Sequence, residues 1–260
     1  MKRPAIWIVL IVVLSLATAC GSTAATTPVP PAATTPPTVP PAPTAPYSTA
    51  AVSLTTEDGI KLAGTLFLSA QDTAVVLAHM AGESNQQDWI PFARELAGRG
   101  YTALTFDFRC FGKSDCGGDT SGDVLGMDLE AAIGFLRQKG FQRIVCMGAS
   151  MGGRGCVGVA FDEELAGLII VSGTGANDPD KQDLSDFVTP DMPKLFIVSQ
   201  NDHIVERTST MTRLYESAPE PKILKLFPGS AHGTELLRTT HEQEFRETVL
   251  DFLGGTGSIN

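Results

Sequence analysis

Residues 143–152 read RIVCMGASMG, and this short stretch predicts the architecture of the chain. The run at 143–147 is almost continuously apolar, which is typical of a strand that is buried on both faces of a sheet. The segment at 150–161 has a helical pattern, so Gly148, Ser150 and Gly152 fall in a sharp turn between a strand and a helix. A G-x-S-x-G turn of this kind holds its serine in strained backbone geometry with the hydroxyl exposed.

On both sides of this turn, short apolar runs alternate with helical segments. The first two runs are joined by Glu57-Asp58-Gly59, a hairpin signal. The later runs are separated by helices, which favours an α/β fold with a mostly parallel, eight-stranded sheet covered on both faces. We expect strands at 51–56, 60–68, 74–78, 102–106, 143–147, 167–172, 195–199 and 223–227, and helices at 86–99, 121–139, 150–161, 204–217 and 234–253.

The N-terminus has the pattern of an export signal. Lys2 and Arg3 precede an apolar run at 5–16, which is followed by small residues and then Cys20. The apolar run is short for a membrane span of about 20 residues, although an uncleaved anchor remains the alternative. Small residues before Cys20 resemble a bacterial lipoprotein signal. The resemblance implies removal of residues 1–19 and a lipid such as palmitate on Cys20, whereas simple cleavage would release a secreted protein.

Composition separates a tether from a folded domain. Residues 20–48 are mainly Thr, Ala and Pro without charge, which predicts a disordered linker ahead of a domain at 49–260. The net charge is −10, and removing the two positive charges of Lys2 and Arg3 leaves −12 on the rest. A chain this acidic has no basic face for phosphates, so nucleic acid is excluded as a partner.

The serine in the turn needs a base before it can act as a nucleophile. His232 lies in a glycine-containing loop after the last predicted strand, and Asp202 follows the strand before it. Parallel strands bring both loops to one sheet edge, where a carboxylate can orient the imidazole. Asp178, after an earlier strand, is the alternative acid. His203 is expected to border the site, and His241 to lie on a solvated face of the last helix.

The chain order Ser150, Asp202, His232 is the order found in α/β-hydrolases. The region from about 60 to 254 resembles the compact esterases and dienelactone-hydrolase-like members of that superfamily. The resemblance implies that Ser150 forms an acyl-enzyme, His232 transfers its proton and Asp202 orients His232.

Two loops carry the rest of the resemblance. Relatives have His-Gly-x after the third strand, where this chain has His79-Met80-Ala81, so an oxyanion hole would use the N–H groups of Ala81 and Met151. Residues 107–114 resemble the Asp-x-Arg-Gly-x-Gly-x-Ser loop of the same relatives. That likeness favours Arg109 as a structural brace of the loop over a catalyst.

The remaining cysteines are interpreted from spacing and export. Cys110 and Cys116 lie six residues apart on one loop, which favours a disulfide after export. Cys146 and Cys156 are interpreted as small buried hydrophobes, with their pairing left open. Zinc-ligand spacing, a phosphate-binding loop and a dinucleotide fingerprint are all missing from the sequence, so we expect no metal and no cofactor.

Together these features predict an extracytoplasmic serine hydrolase that acts on small carboxylic esters. A peptidase, amidase or thioesterase with the same residues is the first alternative, and a non-catalytic envelope binding protein is the second. The polar stretch after the sixth strand has room for one short helix at 184–188 but not for a cap. We therefore expect an open site, walled by Met80, Met151 and Phe111, that prefers about two to six acyl carbons. The oligomeric state stays open.

Overall fold

The computed structural model describes residues 45–118, 124–174 and 192–256, all of which belong to one compact unit. The predicted signal, Cys20 and most of the linker lie outside the described residues, as do Asp178 and the short helix expected at 184–188. Within the described ranges, no helix has the length and apolar character needed to cross a membrane.

The core is an eight-stranded sheet with the order β1-β2-β4-β3-β5-β6-β7-β8. The β1–β2 and β2–β4 pairs are antiparallel, and the other five pairs are parallel. This confirms the predicted α/β fold class. The strands are β1 (Ser48–Thr55), β2 (Lys61–Leu68), β3 (Thr73–Ala78), β4 (Thr102–Phe106), β5 (Arg143–Ala149), β6 (Gly167–Val171), β7 (Lys194–Ser199) and β8 (Lys222–Phe227).

Within the described residues five α-helices accompany the sheet, and two of them depart from the predicted bounds by four residues or more. The helix expected at 86–99 begins as a 3₁₀ turn at Gln86–Asp88, and its α-helical part starts at Ile90, where Pro91 fits the first turn. The helices are α1 (Ile90–Gly98), α2 (Val124–Gln138), α3 (Met151–Val159), α4 (Arg207–Ser217) and α5 (Glu242–Thr256).

The helix expected at 234–253 is interrupted. Gly233–Arg238 forms a 3₁₀ helix, and Thr239 then adopts an extended backbone conformation. The Thr239 hydroxyl accepts the N–H of His241 at 3.1 Å, a local bond that competes with helix continuation. His241 therefore precedes α5, so its predicted place inside the helix was wrong.

Alternate strand residues pack against two different layers of helices. On β3, Val76 belongs to the cluster that contains α2, α3 and α4, whereas Val75 and Leu77 belong to the cluster that contains α1 and α5. A strand buried on both faces has no polar side to display, which explains its continuously apolar sequence. The carboxyl ends of β3, β5, β6, β7 and β8 all meet at one sheet edge.

Two disulfides lie close to that edge. Cys110–Cys116 closes a loop after β4, and Cys146–Cys156 joins β5 to α3. Cys146 and Cys156 are fully buried, as expected, but they are bonded to each other rather than packed as free thiols. The second bond therefore spans the turn that contains Ser150.

Arg109 braces the loop after β4, as its sequence context predicts. Its side chain is 6 % exposed and forms ion pairs with Asp58 at 2.8 Å and with Asp128 at 2.7 Å. The Asp128 carboxylate also accepts the backbone N–H of Arg109 at 2.8 Å. One guanidinium thus joins the β1–β2 hairpin, the loop and α2.

Replacing Arg109 with Met should lower the free energy of unfolding by about 3–5 kcal/mol, because it removes the counter-charge of the buried Asp128 carboxylate. Urea denaturation of Arg109→Met measures the loss, and Arg94→Met, at an exposed position on α1, is the matched control. A loss below about 1 kcal/mol would show that the ion pairs contribute little.

Candidate active site

Ser150 lies between the end of β5 and the start of α3, with φ 48° and ψ −107°. A positive φ is unfavourable for a residue with a side chain, so the surrounding structure has to hold this conformation. Part of that support is the hydrogen bond from the Ser150 N–H to the Val171 carbonyl at 2.8 Å. The strain that the G-x-S-x-G pattern predicts is therefore present.

The turn requires glycine on both sides of the serine. A Cβ atom at Gly148 would overlap the backbone carbonyl group of Gly152. A Cβ atom at Gly152 would lie 2.5 Å from the Ala78 carbonyl oxygen and 2.7 Å from that of His79. The glycines thus let the turn close and let it rest directly on the end of β3.

His232 and Asp202 form a buried hydrogen-bonded pair. The His232 Nδ1 atom lies 2.9 Å and 3.0 Å from the two Asp202 carboxylate oxygens. An ionised carboxylate can only accept, so Nδ1 carries the proton and Nε2 is left free to accept another. Asp178, the alternative acid, lies outside the described residues.

The loops that carry this pair run side by side after β7 and β8. The N–H groups of Asn201 and His203 each donate at 3.0 Å, to the carbonyls of Gly229 and Ser230. The Ser199 hydroxyl donates to the Ala231 carbonyl at 2.6 Å. These bonds fix the acid and base loops relative to one another.

Gly233 brings the base loop to the serine turn. A Cβ atom at Gly233 would lie 3.3 Å from the Ala149 Cβ and 3.0 Å from the Met80 sulfur. Gly233 and Ala149 are therefore in contact. Gly233 directly follows His232 in the chain, and Ala149 directly precedes Ser150. Within the described residues, no hydrogen bond joins Ser150 Oγ to His232; such bonds are often long in unliganded sites.

Asp202 remains ionised despite its burial. Burial alone would raise the pKa of this carboxyl, but hydrogen bonds from His232 and from the Ile204 N–H lower it below its ordinary value. The buried Ser172 hydroxyl lowers the pKa further from nearby, although its oxygen lacks the geometry of a hydrogen bond to any described residue. An ionised Asp202 remains an acceptor for the proton on His232 Nδ1.

Donors for an oxyanion are available at the same edge. The N–H groups of Met80, Ala81 and Met151 donate no hydrogen bond within the described residues. Met151 is the first residue of α3, where N–H groups lack helical partners and the helix dipole is positive. The arrangement therefore offers the expected donors Met151 and Ala81, with Met80 beside them.

His79 holds the loop that carries two of these donors. Its Nδ1 atom lies 2.7 Å from the Met80 carbonyl, and its Nε2 accepts the Phe108 N–H at 3.1 Å. Accepting at Nε2 requires the neutral imidazole, with the proton on Nδ1. Burial lowers the pKa of His79, although the bond to Met80 and the charges of Asp107 and Asp88 oppose the change.

The other predicted neighbours of the site divide into two groups. Met151 lines a cleft of about 400 Å³ beside Ser150. Phe111 instead packs its ring on His79, with centroids 5.0 Å apart, and Met80 packs on Gly233.

His203 borders the site, with its ring 5.5 Å from that of His232. His241 lies 3.6 Å from Glu244, on the surface near α5. Among the described residues, no group of three or more His, Cys, Asp or Glu side chains could hold a metal ion.

The sequence reasoning missed three polar residues of the site. The sequence motifs do not place Arg154, Arg207 or Ser172 among the site residues. Arg154 and Arg207 both line the cleft beside Ser150, and Ser172 is buried near Asp202. The helical spacing of four residues from Ser150 to Arg154 was the available signal.

The family described as alpha/beta hydrolase domain matches residues 71–249, well over half of the chain. The chain belongs to the α/β-hydrolase family. The matched range includes the elbow at Ser150, the acid loop and the base loop. A search of curated sequences finds no match to this hydrolase.

Solved structures share the fold of this hydrolase at low identity. An esterase from Pyrococcus furiosus is 20% identical with a TM-score of 0.64, over 80% of this chain and 91% of that one. A thermophilic esterase from Thermogutta terrifontis, bound to malate, is 17% identical with a TM-score of 0.65, over 80% and 99%. A Xanthomonas campestris serine hydrolase described as lacking a lid is 22% identical with a TM-score of 0.65, over 80% and 94%.

Gly148→Ala should destabilise the hydrolase by about 3 kcal/mol or more, because the added methyl group overlaps backbone that cannot move aside. Gly134→Ala on α2 is the matched control, since a Cβ there meets nothing within 4 Å. The control should be neutral or stabilising by up to about 1 kcal/mol. Equal denaturant midpoints for the two variants would refute the steric argument.

Neutral His79 should make the hydrolase sensitive to mild acid. In the unfolded chain His79 takes up a proton near pH 6.5, whereas its lowered pKa keeps it neutral in the fold. Its contribution to stability is therefore complete above about pH 6.5 and is lost as pH falls, by at most about 1.4 kcal/mol per unit. Unfolding free energies at pH 7.5 and 5 measure the loss. His79→Gln should flatten the slope, and parallel slopes would contradict the assignment.

Proposed function

We propose that the protein is a serine esterase that hydrolyses carboxylic esters through an acyl-enzyme. The observation that carries the proposal is the buried pair of His232 and Asp202, held at the same sheet edge as the strained Ser150. A serine hydroxyl becomes a nucleophile only beside a base, and a base of this kind works best with an orienting carboxylate.

Each step of the reaction uses an atom already described. Ser150 Oγ attacks the ester carbonyl carbon while its proton passes to His232 Nε2. N–H donors from Met151 and Ala81 stabilise the resulting oxyanion, each by about 3–4 kcal/mol in comparable sites. His232 then gives its proton to the departing alcohol. Water deprotonated by His232 attacks the acyl-enzyme, and His232 passes that proton to Ser150 Oγ as the acid leaves.

An open site supports small, soluble esters as the substrates. The described residues contain no cap over the edge that carries Ser150, and the neighbouring cleft has about 400 Å³. A site of this size suits a short acyl chain of about two to six carbons better than a long-chain lipid. The fold-level likeness to esterases agrees with this choice but does not determine the substrate.

The proposal places the enzyme outside the cytoplasm, anchored to the cell membrane by a lipid on Cys20. The signal pattern at residues 1–20 is the first support. The two disulfides of the folded domain are an independent second support, because such bonds persist mainly in oxidising compartments.

Ser150→Ala and His232→Ala should each lower kcat for p-nitrophenyl butyrate by at least about a thousandfold, because they remove the nucleophile or its base. Asp202→Asn should be similarly severe. The wild-type protein should react with a fluorophosphonate probe at Ser150. Its rates on p-nitrophenyl esters should also be compared with its rates on aminoacyl amides. Faster cleavage of amides than of esters would show that the protein is a peptidase or amidase instead of an esterase.

His203→Asn is the control for this series, because His203 touches the His232 ring but carries no step of the proposed reaction. It should stay within about threefold of wild type. If Asp202→Asn is mild while Asp178→Asn is severe, the acid has been assigned wrongly. Full activity of Ser150→Ala would refute the proposed mechanism.

Cys20→Ser should move the protein from the detergent-extracted membrane fraction to a released or unprocessed form. The change removes the residue that would carry the acyl chains, and stable anchoring needs more than one such chain. Intact-mass analysis of the mature protein measures the lipid directly. A mature N-terminus at another residue, without added lipid mass, would contradict the anchor.

A further inference from the structure

The cleft of about 400 Å³ beside Ser150 is lined by two arginines. Arg154 belongs to α3, Arg207 begins α4, and Leu125 and Met151 supply apolar surface between them. The geometry points to a subsite that binds a carboxylate carried by the substrate, so that short esters with a free carboxylate are preferred over neutral esters of equal length. This inference rests on the esterase function proposed above and specifies its substrate class.

Arg154 is placed by the elbow itself. It lies four residues after Ser150, and its N–H donates to the Ser150 carbonyl at 3.0 Å in the first turn of α3. Residues four apart project from the same helix face, about 6 Å apart at Cβ. Within the described residues, the Arg154 guanidinium has neither an ion pair nor a side-chain hydrogen bond, so its donors are free.

Arg207 lines the same cleft with most of its donors unused. One Nη atom donates to the Gly173 carbonyl at 3.1 Å. Its Nε atom is buried and has no acceptor among the described residues. Burying part of a cationic group with unmet donors is costly, and an anion in the cleft would provide acceptors for those Arg207 donors that line it.

The local charge of the cleft is opposite to that of the whole chain, whose net charge is −10. The negative charge of Asp202 favours the charged form of Arg207, but the Asp202 oxygens already accept hydrogen bonds from His232 and from the Ile204 N–H. Two guanidinium groups therefore line the cleft, and the carboxylate whose charge acts on Arg207 already accepts hydrogen bonds from other donors. Planar guanidinium groups bind carboxylates through paired hydrogen bonds, which favours this anion.

The decisive measurement is a ratio of kcat/KM for matched esters. Monomethyl glutarate and methyl hexanoate differ at the far end of the acyl chain, where the first has a carboxylate. 4-Acetoxybutanoate and pentyl acetate make the same comparison on the alcohol side. The wild-type enzyme should prefer the anionic member of at least one pair by tenfold or more, and that pair identifies which part of the substrate enters the cleft.

Arg154→Gln should lower that preference at least tenfold, mainly through KM, and Arg154→Lys should restore part of it. Arg94→Gln makes the same charge change at an exposed position on α1 and should leave both rates unchanged. A wild-type enzyme that prefers neutral esters in both pairs, or equal ratios in Arg154→Gln and Arg94→Gln, would overturn the inference while leaving the esterase function intact.

A binding experiment keeps the inference testable without turnover. In Ser150→Ala protein, glutarate should bind in a calorimetric titration, and the added Arg154→Gln change should weaken that binding at least tenfold. Absence of glutarate binding would overturn the carboxylate subsite. Binding without any ester hydrolysis by the wild-type protein would support the subsite and refute the esterase function instead.

Discussion

The close backbone contact between Gly148 and Gly152 is the constraint on which the site depends. It allows β5 to turn directly into α3 and leaves Ser150 in a strained conformation at the apex. Three neighbours oppose relaxation of that strain: the Val171 carbonyl, the end of β3 and the disulfide between Cys146 and Cys156. Strain of this kind persists only where the surrounding structure over-determines the backbone.

Parallel strand pairing brings the candidate catalytic residues to one place. Ser150, Asp202 and His232 follow β5, β7 and β8, whose carboxyl ends lie at one edge of the sheet. Backbone hydrogen bonds between the last two loops then set the acid against the base. A neutral, buried His79 performs a similar positioning role for the loop after β3. The loops after β3, β7 and β8 are thus held by hydrogen bonds to main-chain N–H and carbonyl groups.

The electrostatics of the domain are concentrated at a few buried points. Arg109 pairs with both Asp58 and Asp128 behind the loop after β4, and Asp202 keeps its charge through hydrogen bonds. Arg154 and Arg207 face a cleft in an otherwise acidic chain. Buried charge is expensive unless it is paired, so each of these groups either has a partner or lies where a ligand can provide one.

The sequence by itself determined the order and type of the elements, because apolar runs and helical periodicity report burial locally. It also determined the elbow, since a Cβ atom at Gly148 would overlap the Gly152 backbone within the turn itself. The sequence predicts that Asp202 orients His232, but only the tertiary structure gives the contact between them, joins Cys146 to Cys156 and interrupts the predicted last helix at Thr239. The tertiary structure alone brought Arg207 to the cleft that Arg154 also lines. These outcomes depend on distances between residues far apart in the chain, and periodicity contains no information about which side chains meet across separate loops.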